Sequence, residues 1–382
     1  MIPLIFVYIT AALLACYAVL IHLYRTWFRK LKYFNTTVSQ PQTSFSVIIP
    51  ARNEEKVIAE CVLSILNNRY PADLFEVIVI DDHSTDSTPI IIQNLILKHN
   101  NLKLVKLADA LQGKQLNSYK KKAIETAIGY ATKDWIVTTD ADCCVTSTWL
   151  KSFDAYVQKE NPVFMAAPVM FKNAGSFVSI FQCLDFISLQ GITAASVSAG
   201  FHSMCNGANL AYKKESFFEV DGFKGIDNIA SGDDMLLMHK MHSKYPKRIG
   251  YLFSREAIVL TEPMHDWKSF FNQRIRWASK AEAYDDVRIK GVLLFVFMLN
   301  LLLLLLPLLA FWDVKILWYW LVLVVLKTFS EFTFMYFVSV FFNLQKLLKW
   351  FPLMQPVHIF YTVIAGFLGK FGTYQWKGRT VK

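Results

Sequence analysis

The sequence contains no paired Cys-x-x-Cys spacing. Its six cysteines, Cys16, Cys61, Cys143, Cys144, Cys183 and Cys205, therefore do not read as a zinc or dithiol redox centre, and a reduced compartment is the simple inference. The chain is also poor in charge. At 18% charged, 54% hydrophobic and 15% aromatic residues, its 382 residues are too apolar for an ordinary soluble protein, and membrane spans are expected. The formal net charge of +10 has few aromatic-flanked basic clusters behind it. Many lysines and arginines instead border apolar runs, which argues against a nucleic-acid partner and for anionic head groups. The apolar run within residues 1–24 lacks charges ahead of it and a small-residue cleavage site behind it, and Arg25, Arg29, Lys30 and Lys32 follow it. That pattern describes a signal anchor with a cytoplasmic C-terminal end rather than a cleaved signal.

Further apolar runs lie at the other end of the chain. Residues 291–311, with Leu301 to Leu306 uninterrupted, and residues 316–342 are long enough to span a membrane. Lys327 and Glu331 interrupt the second run four residues apart, as a pair on one helix face, whose partner is either another helix or a ligand. Residues 352–369 carry Pro352, Gln355, Pro356 and His358 and read equally as a span or as an interfacial, re-entrant segment. A basic tail of Lys370, Lys377, Arg379 and Lys382 follows.

Between these ends, residues 35–285 read as one soluble domain large enough to bury a core. Phe45–Pro50, Phe75–Ile80, Leu102–Leu107 and the run from Trp135 to Asp140 read as strands. Helices are expected from Arg52 to about Asn67, up to about His99, and from Ser118 to Ala131. This alternation implies a mostly parallel sheet with its site at the strand carboxyl ends, where Asp81, Asp82, Asp140 and Asp142 fall. The region from Pro162 to Tyr212 is less patterned and rich in small residues from Gly191 to Gly200.

The stretch Thr139-Asp140-Ala141-Asp142 places two carboxylates one residue apart after an apolar run. Such a pair suits a hard divalent cation, whose shell a substrate diphosphate would complete, although a solvated strand end looks the same. Asp81 to Asp86 reads both as a helix cap and as a set of acceptors for a ligand. Arg52 and Glu54 read either as an ion pair or as ligand contacts.

Taken in order, Val47-Ile48-Ile49-Pro50-Ala51-Arg52-Asn53-Glu54-Glu55, Val79-Ile80-Asp81-Asp82-His83-Ser84-Thr85-Asp86 and Thr139-Asp140-Ala141-Asp142 resemble the nucleotide-sugar half of family 2 glycosyltransferases. The segment Asn206-Gly207-Ala208-Asn209 resembles that family's donor and acceptor lining, and Ser231-Gly232-Asp233-Asp234 resembles its acceptor motif. Gln273-Arg274-Ile275-Arg276-Trp277 is similar to the Gln-x-x-Arg-Trp signature of membrane-integrated members, among them cellulose, hyaluronan and poly-N-acetylglucosamine synthases and ceramide glucosyltransferases. On its own that stretch would read as interfacial anchoring. The family also carries Gly-Lys-x-x-Ala-Leu, with its alanine seventeen residues before the Asp-x-Asp; Ala123 holds that place, so Lys120 matches the lysine and Tyr119 replaces the glycine. Gly113-Lys114 is a nearby decoy.

The resemblance implies an α/β GT-A fold, Rossmann-like, on the cytoplasmic side of a bacterial inner or plasma membrane. It implies donor binding by Glu54, Asp81, Asp82, Lys120 and Asp140, with Mg²⁺ or Mn²⁺ on Asp142 and Asp140. Asp234 becomes the general base of an inverting transfer, with Asp233 beside it. Gln273, Arg276 and Trp277 serve the acceptor and the departing diphosphate. The expected donor is a nucleotide sugar, UDP-linked. A lipid or lipid-linked acceptor is favoured over a processive polysaccharide synthase, because three or four spans are few for an export pore unless an oligomer or partner subunit completes it. The rivals are a non-catalytic membrane scaffold and a nucleotidyltransferase; the scaffold would be expected to lack Asp142, Asp234 or Arg276, and the nucleotidyltransferase has no use for Gln-x-x-Arg-Trp.

Overall fold

The structure is a computed structural model that describes residues 2–36, 40–111, 118–172, 175–201, 204–229, 232–284, 286–372, 374–376 and 379–381. The Gly113-Lys114 dipeptide and Ser231 lie outside these residues. Along the chain, helix α1 (Ile2–Lys30) is followed by β1 (Phe45–Ala51), α2 (Ile58–Leu66), β2 (Phe75–Asp81), α3 (Thr88–Ile96) and β3 (Leu102–Lys106). Next come α4 (Leu107–Leu111), α5 (Tyr119–Tyr130), β4 (Trp135–Thr138), α6 (Trp149–Glu160), β5 (Phe164–Ala166), β6 (Val169–Phe171) and α7 (Phe177–Ala199). Then follow β7 (Leu210–Lys213), α8 (Lys214–Glu219), α9 (Met235–Lys244), β8 (Ile249–Tyr251) and β9 (Val259–Thr261). The described chain closes with α10 (Trp267–Ala278), α11 (Val287–Leu305), α12 (Lys315–Phe342), α13 (Phe351–Phe371) and a short terminal hairpin.

Two compact units result: residues 32–172 with 203–262, and residues 1–31 with 173–202 and 263–382. The first holds a seven-stranded sheet in the order β3-β2-β1-β4-β7-β5-β8. β1 pairs parallel with β2 and β4, and β2 with β3, whereas β7 runs antiparallel to β4 and β5. The apolar runs that form β1, β2 and β4 need cover on both faces, and Val47, Ile48, Ile49, Val77, Ile78, Val79, Ile136 and Val137 are all fully buried. The chain leaves β1 toward β2 and β3, then returns on its other side as β4. This reversal opens a crevice at the carboxyl ends of β1 and β4, the place where such sheets bind ligands.

Two expectations shift locally. The helix expected from Arg52 starts only at Ile58, because Asn53 adopts a left-handed φ of 53° that a helix cannot contain. The strand expected to reach Asp140 stops at Thr138, and the Cys143 N–H bonds to the Asp140 carbonyl, so both carboxylates ride a turn beyond the strand.

In the other unit, α7 occupies the stretch that looked unpatterned, and it groups with the apolar helices. Among the described residues, five helical segments are long and apolar enough to cross a membrane: Leu4–Lys30, Phe177–Ala199, Val287–Phe311, Lys315–Phe342 and Gln345–Phe371. Gly191 is what lets α7 approach α12. A Cβ there would stand 2.5 Å from a Val338 methyl and 3.0 Å from the Phe334 ring. Lys327 of α12, fully buried, bonds Glu331 at 2.6 Å and the side-chain oxygen of Gln355 at 2.9 Å. Gln355 in turn donates to Glu331 at 2.7 Å, so α13 is held to α12 by a closed polar triangle.

Candidate active site

Lys120 is the centre of the acid cluster in the sheet unit. It stands in the first turn of α5, and its Nζ lies 2.8 Å from Asp140 Oδ1 and 3.2 Å from Asp233 Oδ2. Burial disfavours the ammonium, but the charges of Asp140 and Asp233 more than offset this and hold its pKa above the ordinary lysine range.

Asp234 is fixed by the backbone. One carboxylate oxygen accepts from the Met235 N–H at 2.8 Å, which makes Asp234 the N-cap of α9, and the other accepts from the Gly207 N–H at 3.1 Å. Asp234 and Asp233 thus lie one and two residues before the helix. Gly207 belongs to the Asn-Gly-Ala-Asn segment, and its carbonyl accepts from Thr138 Oγ1 at 3.0 Å at the end of β4. A Cβ on Gly207 would meet Asp233 Oδ2 at 3.2 Å and both Asp234 Cβ and Lys120 Nζ at 3.5 Å. The glycine is what lets this backbone come so close to the cluster. Asn209 braces the segment from behind: it accepts from Trp149 Nε1 at 3.0 Å and donates to the carbonyls of Pro168 and Ala257, each at 2.8 Å.

Asp81 and Asp82 close β2 and are both buried. Asp81 accepts from the Ser84 N–H, while Asp82 bonds His83 Nδ1 at 2.9 Å and its carbonyl accepts from Arg52 Nη1 at 2.9 Å. Arg52 therefore engages Asp82. The Glu54 N–H is held by Thr88 Oγ1 at 2.8 Å. Capping of α3 falls to Asp86, which accepts from the Thr88 N–H and hydroxyl and from the Glu55 N–H, leaving Asp81 and Asp82 out of that task. Tyr119, where the family glycine was expected, stands edge-on to the His83 ring at 6.0 Å.

Asp140 and Asp142 are the candidate cation ligands. Their donor set is carboxylate oxygen, as a hard cation requires, and burial raises the pKa of the thiols of Cys143 on this turn and of Cys61 on α2 beside it, which disfavours soft thiolate ligands there. Among the described residues no three His, Cys, Asp or Glu side chains converge as a closed metal cage. Two carboxylates fit a cation that keeps waters and takes phosphate oxygens for the rest of its shell.

Residues that the sequence did not single out also shape the cluster. Lys121 is buried and donates to the carbonyls of Ile226 and Ile229 at 2.8 and 2.6 Å, tethering that segment to α5. The Lys120-Lys121-Lys122 run was its only signal, and it did not say which lysine turns inward. Gln273, Arg276 and Trp277 lie on α10 in the helical unit, all half-buried, and the buried arginine of that helix is Arg274.

The sequence pattern of glycosyl transferase family 2 matches residues 46–180, and that of glycosyl transferase family group 2 matches residues 135–364, more than half of the chain. The chain belongs to glycosyl transferase family group 2. Among curated relatives of this family member, a probable glycosyltransferase YdaM of Bacillus subtilis is 26% identical over 61% of the chain and 54% of that protein. A beta-monoglucosyldiacylglycerol synthase of Nostoc sp. is 29% identical over 37% of the chain and 29% of that protein. The chain therefore spans about half or less of the length of these relatives. The mannosyltransferase PcManGT of Pyrobaculum calidifontis, solved with GDP-Man and Mn²⁺, superposes with a TM-score of 0.57 at 17% identity, covering 95% of this chain and 99% of that one. This likeness establishes the GT-A fold.

Proposed function

We propose that this family 2 glycosyltransferase is a membrane enzyme that moves a sugar from a nucleotide diphosphate sugar to a lipid or lipid-linked hydroxyl, with inversion at the sugar carbon. The observation that carries the reading is Lys120 bridging Asp140 and Asp233 at the carboxyl ends of the sheet, with Asp234 fixed next to them. A diphosphate needs fixed positive charge, and an acceptor hydroxyl needs an oriented carboxylate. Asp234 meets the second need: two backbone N–H groups, of Met235 and Gly207, hold its carboxylate in one orientation. Asp81 and Asp82 serve the base and ribose, and Glu54 the donor side of the crevice. Asp140 and Asp142 would hold Mg²⁺ or Mn²⁺, which when bound neutralises the diphosphate as it leaves. Arg276, Gln273 and Trp277 are assigned to the diphosphate and acceptor by the motif they match.

The five helices of spanning length among the described residues support membrane integration, and the lipid acceptor gains support from a relative named for diacylglycerol glycosylation. UDP-sugars are the first donors to try and GDP-mannose the next, because PcManGT was solved with GDP-Man.

The test is nucleoside diphosphate release by detergent-purified protein from a panel of UDP- and GDP-sugars, with lipid extract, under Mg²⁺, Mn²⁺ or chelator. We expect metal-dependent release from one donor, falling by about 10²–10⁴-fold in Asp234→Asn. Full activity in that variant would remove Asp234 as the base, and activity untouched by chelator would remove the metal.

A further inference from the structure

Arg274, the second residue of the Gln-x-x-Arg-Trp stretch, is an arginine turned inward. Its guanidinium bonds Asp185 of α7 through Nη2 at 2.6 Å and Nε at 3.1 Å, and both side chains are almost fully buried. The other oxygen of Asp185 accepts from the hydroxyl of Tyr361 on α13. Three helices are thus tied at one carboxylate. The same guanidinium lies 4.2 Å from the centre of the Trp277 ring and 4.8 Å from that of Phe270, while Phe186 packs beside Trp277 at 5.9 Å. Its remaining terminal nitrogen, Nη1, donates to Gln273 Oε1 at 2.9 Å.

We propose that Asp185 and Tyr361 are positioning residues for the motif, acting through Arg274 to set the plane of Trp277 and the side-chain amide of Gln273. Burying an ion pair is costly, and an apolar pair would pack these helices as well. What an apolar pair would not do is place a planar cation against one side of the Trp277 ring. Arginine has donors only, so the carbonyl oxygen of Gln273 must face it and the NH₂ is left as the group Gln273 offers to a ligand. The partner of that NH₂ is accordingly an oxygen, on a phosphate or a sugar or lipid hydroxyl. The catalytic consequence of this arrangement rests on the function proposed above; the arrangement itself does not.

The experiment uses full-length protein in detergent, labelled with 5-fluorotryptophan. The ¹⁹F resonances of Trp277 and of Trp267, at the start of the same helix, are assigned through Trp277→Phe and Trp267→Phe. In Tyr361→Phe, which removes one oxygen, and in Asp185→Asn, we expect the Trp277 resonance to move while that of Trp267 stays. In the transfer assay the same variants are expected to lose about tenfold in kcat/KM for the acceptor, with the KM for the nucleotide sugar unchanged. A Trp277 resonance that stays in place in Tyr361→Phe overturns the proposal, as does an equal rise in both KM values with unfolding at lower temperature. Should Asp185→Asn fail to fold, Tyr361→Phe decides alone. If the unmodified protein transfers no sugar, the proposed function fails, and the resonances still decide the positioning role.

Discussion

The ammonium of Lys120 lies 2.8 Å from Asp140, a residue twenty positions further along the chain and on the turn that ends β4. Removing that charge leaves Asp140 and Asp233 facing each other without the cation between them and, under the function proposed above, takes positive charge from the donor diphosphate. We expect Lys120→Met to raise the KM for the nucleotide sugar about tenfold or more, and Lys120→Arg to recover only part, because a planar fork does not replace a compact ammonium. Although burial opposes the charge, Asp140 and Asp233 hold the pKa above the usual range, so the stabilising contribution is complete below the unfolded value of ~10.4 and declines only as pH rises through the higher folded value. Activity should therefore show no lysine titration between about pH 6 and pH 9; a profile that loses activity there in the unmodified protein but not in Lys120→Arg would contradict this.

Gly207 offers a finer probe of the same cluster. Its missing Cβ would come within 3.2 Å of Asp233 Oδ2, a contact that displaces the carboxylate by a few tenths of an ångström without touching the sheet core. Gly207→Ala is expected to lower kcat about tenfold with little change in unfolding temperature, since small misplacements at a reacting centre are amplified in rate. An unfolding temperature that falls in step with kcat would point to a folding role instead.

Which features could be read from the residues, and which not, follows from what each depends on. β1, β2 and β4 were legible because strands covered on both faces must be continuously apolar, and the Asp residues at their ends then fall at the crevice by topology alone. Helix α7 was not legible: Gly191, Thr193 and Ser196, all buried, break its hydrophobic pattern, because close helix packing, not solvent, sets the residues on that surface. Lys121 was hidden for another reason. Its partners are the carbonyls of Ile226 and Ile229, and no side-chain pattern records a carbonyl. Asp185 and Arg274 stand 89 positions apart, and only folding makes them a pair.

Glu76 gives the sheet unit an acid-sensitive joint. It interrupts the fully buried strand β2, and its Oε1 accepts from Ser46 Oγ at 2.7 Å and from the Thr132 N–H and hydroxyl at 2.6 and 2.8 Å, while Oε2 meets Lys103 at 2.6 Å. Burial opposes ionisation, yet Lys103, Ser46 and Thr132 together hold its pKa down to about 2. A depressed folded value stabilises above the unfolded pKa of ~4.3, and that stability is lost as pH falls from there toward the folded value. Unfolding temperature of the detergent-solubilised chain should drop over that window, and Glu76→Gln should flatten the drop. Glu76→Ala, which strands the Ser46 and Thr132 donors, is expected to cost about 2–3 kcal/mol at neutral pH.

The Lys327, Glu331 and Gln355 triangle separates a structural from a functional role for charge inside the apolar helices. Lys327 has no exposed surface, and Tyr17 of α1 also donates to Glu331, so four side chains from three helices satisfy one another. Removing either partner alone leaves a buried charge uncompensated, and Lys327→Met or Glu331→Leu is each expected to cost about 3–5 kcal/mol in unfolding free energy. The double variant Lys327→Met with Glu331→Leu removes both charges at once and should recover most of that loss. The measurement is the unfolding midpoint of the four proteins, read with their transfer rates. If the double variant is stable and transfers sugar at the unmodified rate, the triangle only fastens α1, α12 and α13 together. A double variant that is stable but slow would give these charges a part in handling the acceptor, since stability and rate would then have come apart in one molecule.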